Sequence, residues 1–253
     1  MNKIVDSPLL VFAICFTVLW LSAVVGAFCR DRLGGLKEGE REDFAVVQGA
    51  ALTLLGLLIG FTFSMAINRY EQRKNCEEAE ANAIGTEYLR VRMLPDADAT
   101  RSRTLLKGYL DERVLFYSTR NEKLLGQINS DTAQLQNYLW SAVQARVVTE
   151  PTPLAALAAS GMNDVLNSQG YTQAAWLNRI PFEAWVLLFV IGVGCNFLIG
   201  YGAHRTSIRL FLVLPLAVSV SFFLIADIDS ARGGLIRVQP QNLVILSQSL
   251  PAN

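Results

Sequence analysis

Apolar residues are concentrated in four long segments of the chain, and polar residues separate them. The segments cover about residues 8–29, 44–67, 182–203 and 207–227. Each holds about 20 residues, the length that an α-helix needs to cross roughly 30 Å of hydrocarbon. The pattern therefore predicts four transmembrane helices, paired as one hairpin within residues 1–67 and a second within residues 182–227.

The polar stretch between the second and third spans, residues 68–181, shows helical periodicity. The second apolar segment passes into it without a Gly-Pro break, so one helix is expected to leave the membrane and end at Pro95. Further helices are expected from about 97 to 120, from an N-cap at Ser130 or Asp131, and from about 153 to 178. We expect a soluble helical insert, followed after the last span by a short C-terminal tail, residues 228–253. The predicted fold class is all-α.

One face of the second span changes from apolar to polar along its length. Spacings of three and four residues place five side chains on this face: Thr53, Leu57, Phe61, Ser64 and Asn68. If several copies surround an axis, Leu57 and Phe61 would form apolar rings that constrict a pore, and Ser64 and Asn68 would wet its exit. The alternative is an ordinary face between packed helices, with a polar end.

Gly56 and Gly60 form a GxxxG pattern beside this face. Such glycines let helix backbones approach closely. The contact predicted here joins either neighbouring subunits around an axis or two helices of one subunit.

Charged residues follow the second span and the fourth span. After the second span, the mixed charges indicate either a charged vestibule or a solvated helix with ion pairs between successive turns: Arg69, Glu71, Arg73, Lys74, Glu77, Glu78 and Glu80. The small residues Ala79, Ala81, Ala83 and Gly85 predict close packing of the same helix. After the fourth span, Asp227 and Asp229 either attract ions at a pore mouth, or cap the next segment, or pair with Arg232.

Composition indicates a membrane protein and argues against nucleic-acid binding, metal binding and enzyme activity. Hydrophobic residues make up 52% of the chain, and the mean hydropathy is +0.32. The net charge is zero, without a basic run, so nucleic acid is not an expected partner. The four cysteines are isolated, and the lone His204 has no partner at metal-ligand spacing. Because no catalytic or cofactor motif is found, we expect no enzyme activity, metal or cofactor.

Several motifs resemble those of bestrophins. Gly60-Phe61-x-x-Ser64, followed by Arg69-Tyr70 and Arg73-Lys74, resembles the end of their second transmembrane helix, and Asp227 to Gly234 resembles the acidic segment after their last span. The whole chain is similar to a bacterial bestrophin-like membrane family of unassigned function. The stretches that carry this similarity are Leu57 to Arg73, Glu80 to Thr86 with Tyr88 to Arg90, Arg179 to Pro181, and Asp229 to Val238.

The resemblance implies a homopentameric ion channel in the bacterial inner membrane, with cytoplasmic termini and insert. Thr53, Leu57 and Phe61 would occupy the neck of a central pore that conducts small inorganic ions. The chain departs from bestrophins at Ala231-Arg232, where a Pro-Phe pair is usual, and nothing supports a calcium site. The alternative is a non-conducting membrane scaffold or sensor whose insert binds a partner or ligand.

Overall fold

The computed structural model describes residues 7–37, 39–203 and 210–251. Helices and short connections account for these residues, and no strand occurs among them. The helices are α1 Pro8–Leu33, α2 Glu40–Arg90, α3 Asp96–Ser118, α4 Glu122–Thr149, α5 Pro153–Leu177, α6 Phe182–Gly202, α7 Leu210–Asp229 and α8 Gln241–Ser249. The predicted all-α class is confirmed.

Four stretches of helix are long and apolar enough to cross a membrane. They lie in α1, in the first part of α2, in α6 and in α7. These are the four spans that the sequence predicts. The predicted loop that contains His204, Arg205 and Thr206 lies outside the described residues.

α2 is a single helix of 51 residues, as its unbroken sequence predicts. The α-helix ends at Arg90, and a 3-10 turn, Val91–Met93, follows it directly. Leu94 then adopts an extended conformation, with φ −81° and ψ 164°. Pro95 explains this change, because the proline ring disfavours helical geometry in the residue before it.

The predicted start of the third helix of the insert is wrong. α4 begins at Glu122, and the side chain of Asn121 accepts hydrogen bonds from the backbone N–H groups of Lys123 and Leu124, at 3.0 and 3.4 Å. Ser130 and Asp131 therefore lie inside the helix. Asn121 is the N-cap because its side-chain carbonyl oxygen accepts hydrogen bonds from N–H groups of the first turn, which have no partner within the helix.

The sequence did not predict α8, which lies in the predicted C-terminal tail.

The chain divides into two compact units. We call Met1–Tyr70 with Arg179–Arg237 the span unit, and Glu71–Asn178 with Val238–Asn253 the insert unit. In the span unit, α1 packs against α6 and α7 around a core that includes Leu19, Leu55 and Phe222. In the insert unit, α3 packs on α4, α4 on α5, and α8 on α3. The predicted domain boundaries remain predictions.

A close helix contact in the span unit involves two glycines outside the GxxxG pattern of α2, Gly26 and Gly200. A Cβ atom on Gly200 of α6 would overlap the carbonyl oxygen of Ala23 in α1, and one on Gly26 would overlap that of Phe197. Ser22 also donates a hydrogen bond across this contact to the carbonyl of Val193, at 2.8 Å. The two backbones meet because these positions lack side chains.

Candidate functional site

The predicted pore face of α2 points away from the rest of its own chain. Thr53, Leu57, Phe61, Ser64 and Asn68 are all exposed within the single chain. Phe61 is 60% exposed and Leu57 is 52% exposed, which is high for large apolar side chains on a helix that also has a packed side. Within the described residues, this face is therefore not part of the chain's own core.

The opposite side of the same helix is packed. Leu55, Thr62 and Ala66 are buried, and they follow one another at intervals of seven and four residues. Leu55 joins the core formed with α1, α6 and α7, and Ala66 packs with Ile225 and Ile228. Thr62 satisfies its hydroxyl by donating to the carbonyl of Leu58, at 2.8 Å. α2 is thus held by one side and presents the predicted pore face on the other.

Gly56 and Gly60 lie beside the exposed face and are exposed themselves. A Cβ atom at either position would meet nothing within 4 Å among the described residues. These glycines therefore do not form the close helix contact of the single chain, which lies at Gly26 and Gly200. Close packing at Gly56 and Gly60 stays a prediction about neighbouring subunits.

Asp227 and Asp229 are buried and bind backbone N–H groups of their own unit. The two carboxylate oxygens of Asp227 accept hydrogen bonds from the N–H groups of Leu235 and Ile236, at 2.7 and 2.8 Å. Asp229 accepts from the N–H of Ile180, at 3.2 Å, and lies 3.8 Å from the guanidinium of Arg179. Asp227 therefore holds the segment that follows the last span, and Asp229 holds the segment that precedes α6. The attraction of ions by Asp227 and Asp229 stays a prediction.

The charged stretch after Asn68 is only partly solvated. Glu71, Lys74 and Glu78 are exposed. In contrast, Arg73, Glu77, Glu80 and Glu87 are almost fully buried. The expectation of a solvated helix is wrong for Arg73, Glu77 and Glu80. Residues of α8 contact Glu77, and residues of α3 and α5 contact Glu80. Close packing of the small residues occurs at Ala81, which is buried, and at Gly85, which lies against Leu246.

Glu80 forms the centre of a buried polar network. Its carboxylate lies 2.5 Å from Nε of Arg113 and accepts hydrogen bonds from the hydroxyls of Tyr117 and Thr172, at 3.2 and 3.1 Å. Burial alone would lower the pKa of Arg113, but the nearby charge of Glu80 raises it overall. Burial, with the same negative charge, also raises the pKa of Tyr117. A charged Arg113 and a neutral Tyr117 therefore tie α2, α3 and α5 together.

No group of three or more His, Cys, Asp or Glu side chains suited to a metal ion occurs in residues 7–37, 39–203 and 210–251. All four cysteines are free thiols.

The described residues define an all-helical membrane protein with four spans and a helical insert. Its fold is similar to a crystal structure of a bacterial bestrophin homologue from Klebsiella pneumoniae, with a TM-score of 0.63 and 12% identity over 96% of this chain and 99% of that chain. A variant of that homologue gives a TM-score of 0.62 and 12% identity over 93% and 98% of the two chains. A structure described only as a membrane protein variant gives 0.65 and 11% identity over 94% and 95%.

The sequence also matches the family model described as the bestrophin-like domain, over residues 15–243. The chain therefore belongs to the bestrophin-like family. Comparison with the curated proteins found no match. The family and the fold that the motifs implied are thus confirmed.

Proposed function

We propose that this protein is an oligomeric ion channel of the bacterial inner membrane. Small ions pass through a central pore lined by α2, with Thr53, Leu57 and Phe61 at an apolar neck and Ser64 and Asn68 at its exit. Copies assemble around the axis, most simply as a pentamer, with Gly56 and Gly60 packing against the neighbouring helix. The termini and the insert lie in the cytoplasm.

The observation that carries this proposal is the exposure of one graded face of α2. A helix held by Leu55 and Ala66 on one side leaves its other side to lipid, to a partner or to water. Ser64 and Asn68 argue against contact with lipid alone, because polar side chains on a span usually face a protein or a water-filled path. Membership of the bestrophin-like family supports the same assignment.

Ion flux tests the proposal directly. The purified protein is reconstituted in liposomes, and flux of Na⁺, K⁺ and Cl⁻ is measured for the native chain and for Phe61→Ala and Leu57→Ala. We expect a measurable flux that rises several-fold in both variants, because removing an apolar side chain eases hydration of a constriction. Val190→Ala, which truncates an exposed apolar residue of α6, is the matched control and should leave the flux unchanged.

Absence of flux in the native chain and in both variants would overturn conduction. Mass measurement of the assembly in a detergent-free membrane mimic checks the subunit number, and a monomer would equally overturn a central pore.

The second candidate function is a non-conducting scaffold or sensor whose insert binds a ligand. The observation that favours it is a cavity in the insert unit with an arginine-rich wall. An enzyme is not proposed, because the functional chemistry of the site is packing and binding.

A further inference from the structure

The insert unit contains a cavity of about 340 Å³ beside the C-terminal helix α8. Residues of α2, α3, α8 and the segments that follow α2 and α8 line it: Gly85, Tyr88, Leu89, Arg92, Arg103, Leu246, Ser249, Leu250 and Pro251. The volume falls in the range of small-molecule sites, roughly 300–1,000 Å³, and exceeds that of a single water, about 30 Å³. The cavity is large enough for a compact organic molecule.

Two arginines, which we call the cationic wall, contribute positive charge to the cavity. Arg92 and Arg103 both line it, and none of the described residues that line it is acidic. Nε of Arg103 is buried and has no hydrogen-bond partner among the described residues. A buried donor without a partner is costly, so an acceptor supplied by a ligand would be favourable there. Because guanidinium groups bind carboxylate and phosphate oxygens strongly, an anionic group fits this wall.

The guanidinium of Arg103 is already held in position. Its Nη2 donates a hydrogen bond to the hydroxyl of Tyr88, at 2.9 Å, and its central carbon lies 4.9 Å from the centre of the same ring. Tyr88 is itself buried. A group that is ordered before binding loses little conformational entropy when the ligand arrives. Arg103 is therefore preorganised for binding.

Apolar side chains also line the cavity. Leu89, Leu246 and Leu250 form this apolar wall, and Gly85 lets Leu246 approach α2, since a Cβ atom on that glycine would lie only 3.1 Å from Cδ1 of Leu246. Lys107 donates to the carbonyl of Pro251, at 3.4 Å, which connects the segment after α8 to α3. A lining that combines apolar surface with two cations matches a molecule with an apolar body and one anionic end.

We propose that this cavity binds a soluble organic anion, a phosphate or carboxylate group on a compact aromatic or short aliphatic body. The anionic group contacts Arg103 and Arg92, and the apolar body lies between Leu89 and Leu246. This binding site is independent of the pore face of α2 and does not require that the protein conducts ions.

Calorimetric titration of the full chain in lipid nanodiscs with phenyl phosphate tests the proposal. We expect saturable binding that is at least tenfold weaker for inorganic phosphate, which lacks the apolar body, and for phenol, which lacks the charge. Equal affinity for phenol would overturn the role of the arginines. Equal affinity for inorganic phosphate would overturn the role of the apolar wall.

Substitutions locate the binding site. Arg92→Gln changes an exposed side chain and should weaken phenyl phosphate binding about tenfold, as should Arg103→Gln. Arg101→Gln, an exposed arginine on α3 outside the cavity lining, is the matched control and should bind normally. Tyr88→Phe keeps the ring under Arg103 but removes the hydrogen bond to it, and should weaken binding less than Arg103→Gln does. No saturable binding to the native chain, or binding unaffected by Arg92→Gln, would overturn the proposal without bearing on ion flux.

Discussion

Glu77 of α2 caps the first turn of α8 through Leu243. Oε1 of Glu77 accepts a hydrogen bond from the backbone N–H of Leu243, at 3.0 Å, and its Oε2 accepts one from the side-chain amide of Asn242, at 2.7 Å. The residue before α8 is Pro240, which offers no side-chain cap. A buried carboxylate from a distant helix therefore supplies both the cap and the negative charge that a helix N-terminus favours.

Replacing this carboxylate should release α8. We expect Glu77→Ala to lower the free energy of unfolding by about 2 kcal/mol, because a helix cap and a charge-assisted hydrogen bond are lost together. Hydrogen exchange followed by mass spectrometry should show faster exchange in Gln241–Ser249. Glu78→Ala, an exposed neighbour, is the control. Unchanged protection of α8 in Glu77→Ala would contradict this role.

We expect Glu87 to make the stability of the insert unit depend on pH. Its carboxylate is buried, lies against Gly161, and has no hydrogen-bond partner among the described residues. Burial raises the pKa of Glu87 from its ordinary 4.5 to about 8, while the charge of Arg90 opposes the shift and that of Asp164 adds to it. The folded state therefore favours the protonated carboxyl group.

The folded state holds this proton more tightly than the unfolded state does. The resulting contribution to stability is complete below the ordinary pKa of 4.5 and is lost as the pH rises through about 8. We expect the thermal unfolding midpoint of the native protein to fall between about pH 5 and pH 9, and to fall less in Glu87→Gln, which stays neutral throughout. Glu78→Gln should follow the native profile. A Glu87→Gln profile parallel to the native one would refute the assignment.

Gly200 should tolerate no side chain, although it lies in an apolar span where alanine is common. Gly200→Ala would push its Cβ into the backbone of Ala23, so we expect a loss of stability of about 1–3 kcal/mol or more. Gly194→Ala, on the same helix, meets nothing within 4 Å among the described residues and should be neutral or slightly stabilising. Thermal unfolding of both variants measures the difference, and similar midpoints would contradict the close contact of α1 with α6.

The sequence by itself determined the number of helices that are long and apolar enough to span a membrane, the unbroken course of α2 and the all-α class. These follow from local rules: about 20 apolar residues cross a bilayer, and a helix continues until a residue such as Pro95 stops it. The graded face from Leu57 to Asn68 was also visible in the spacing of the residues. Whether that face is packed could not be read from spacing, because an apolar stripe is equally suited to a core and to an outer surface.

Only the tertiary structure decided which polar and small residues are buried. Glu77, Glu80 and Glu87 appear in the sequence as ordinary acidic positions on an exposed helix, and their burial depends on α8, Arg113 and α5, which are remote in the chain. Asp227 and Asp229 likewise bind backbone N–H groups that only the folded chain brings to them, those of Leu235 and Ile180. A close helix contact within the single chain occurs at Gly200, and none occurs at Gly60 among the described residues. The way in which two helices cross decides which glycine meets a partner, and the residues beside that glycine in the sequence do not.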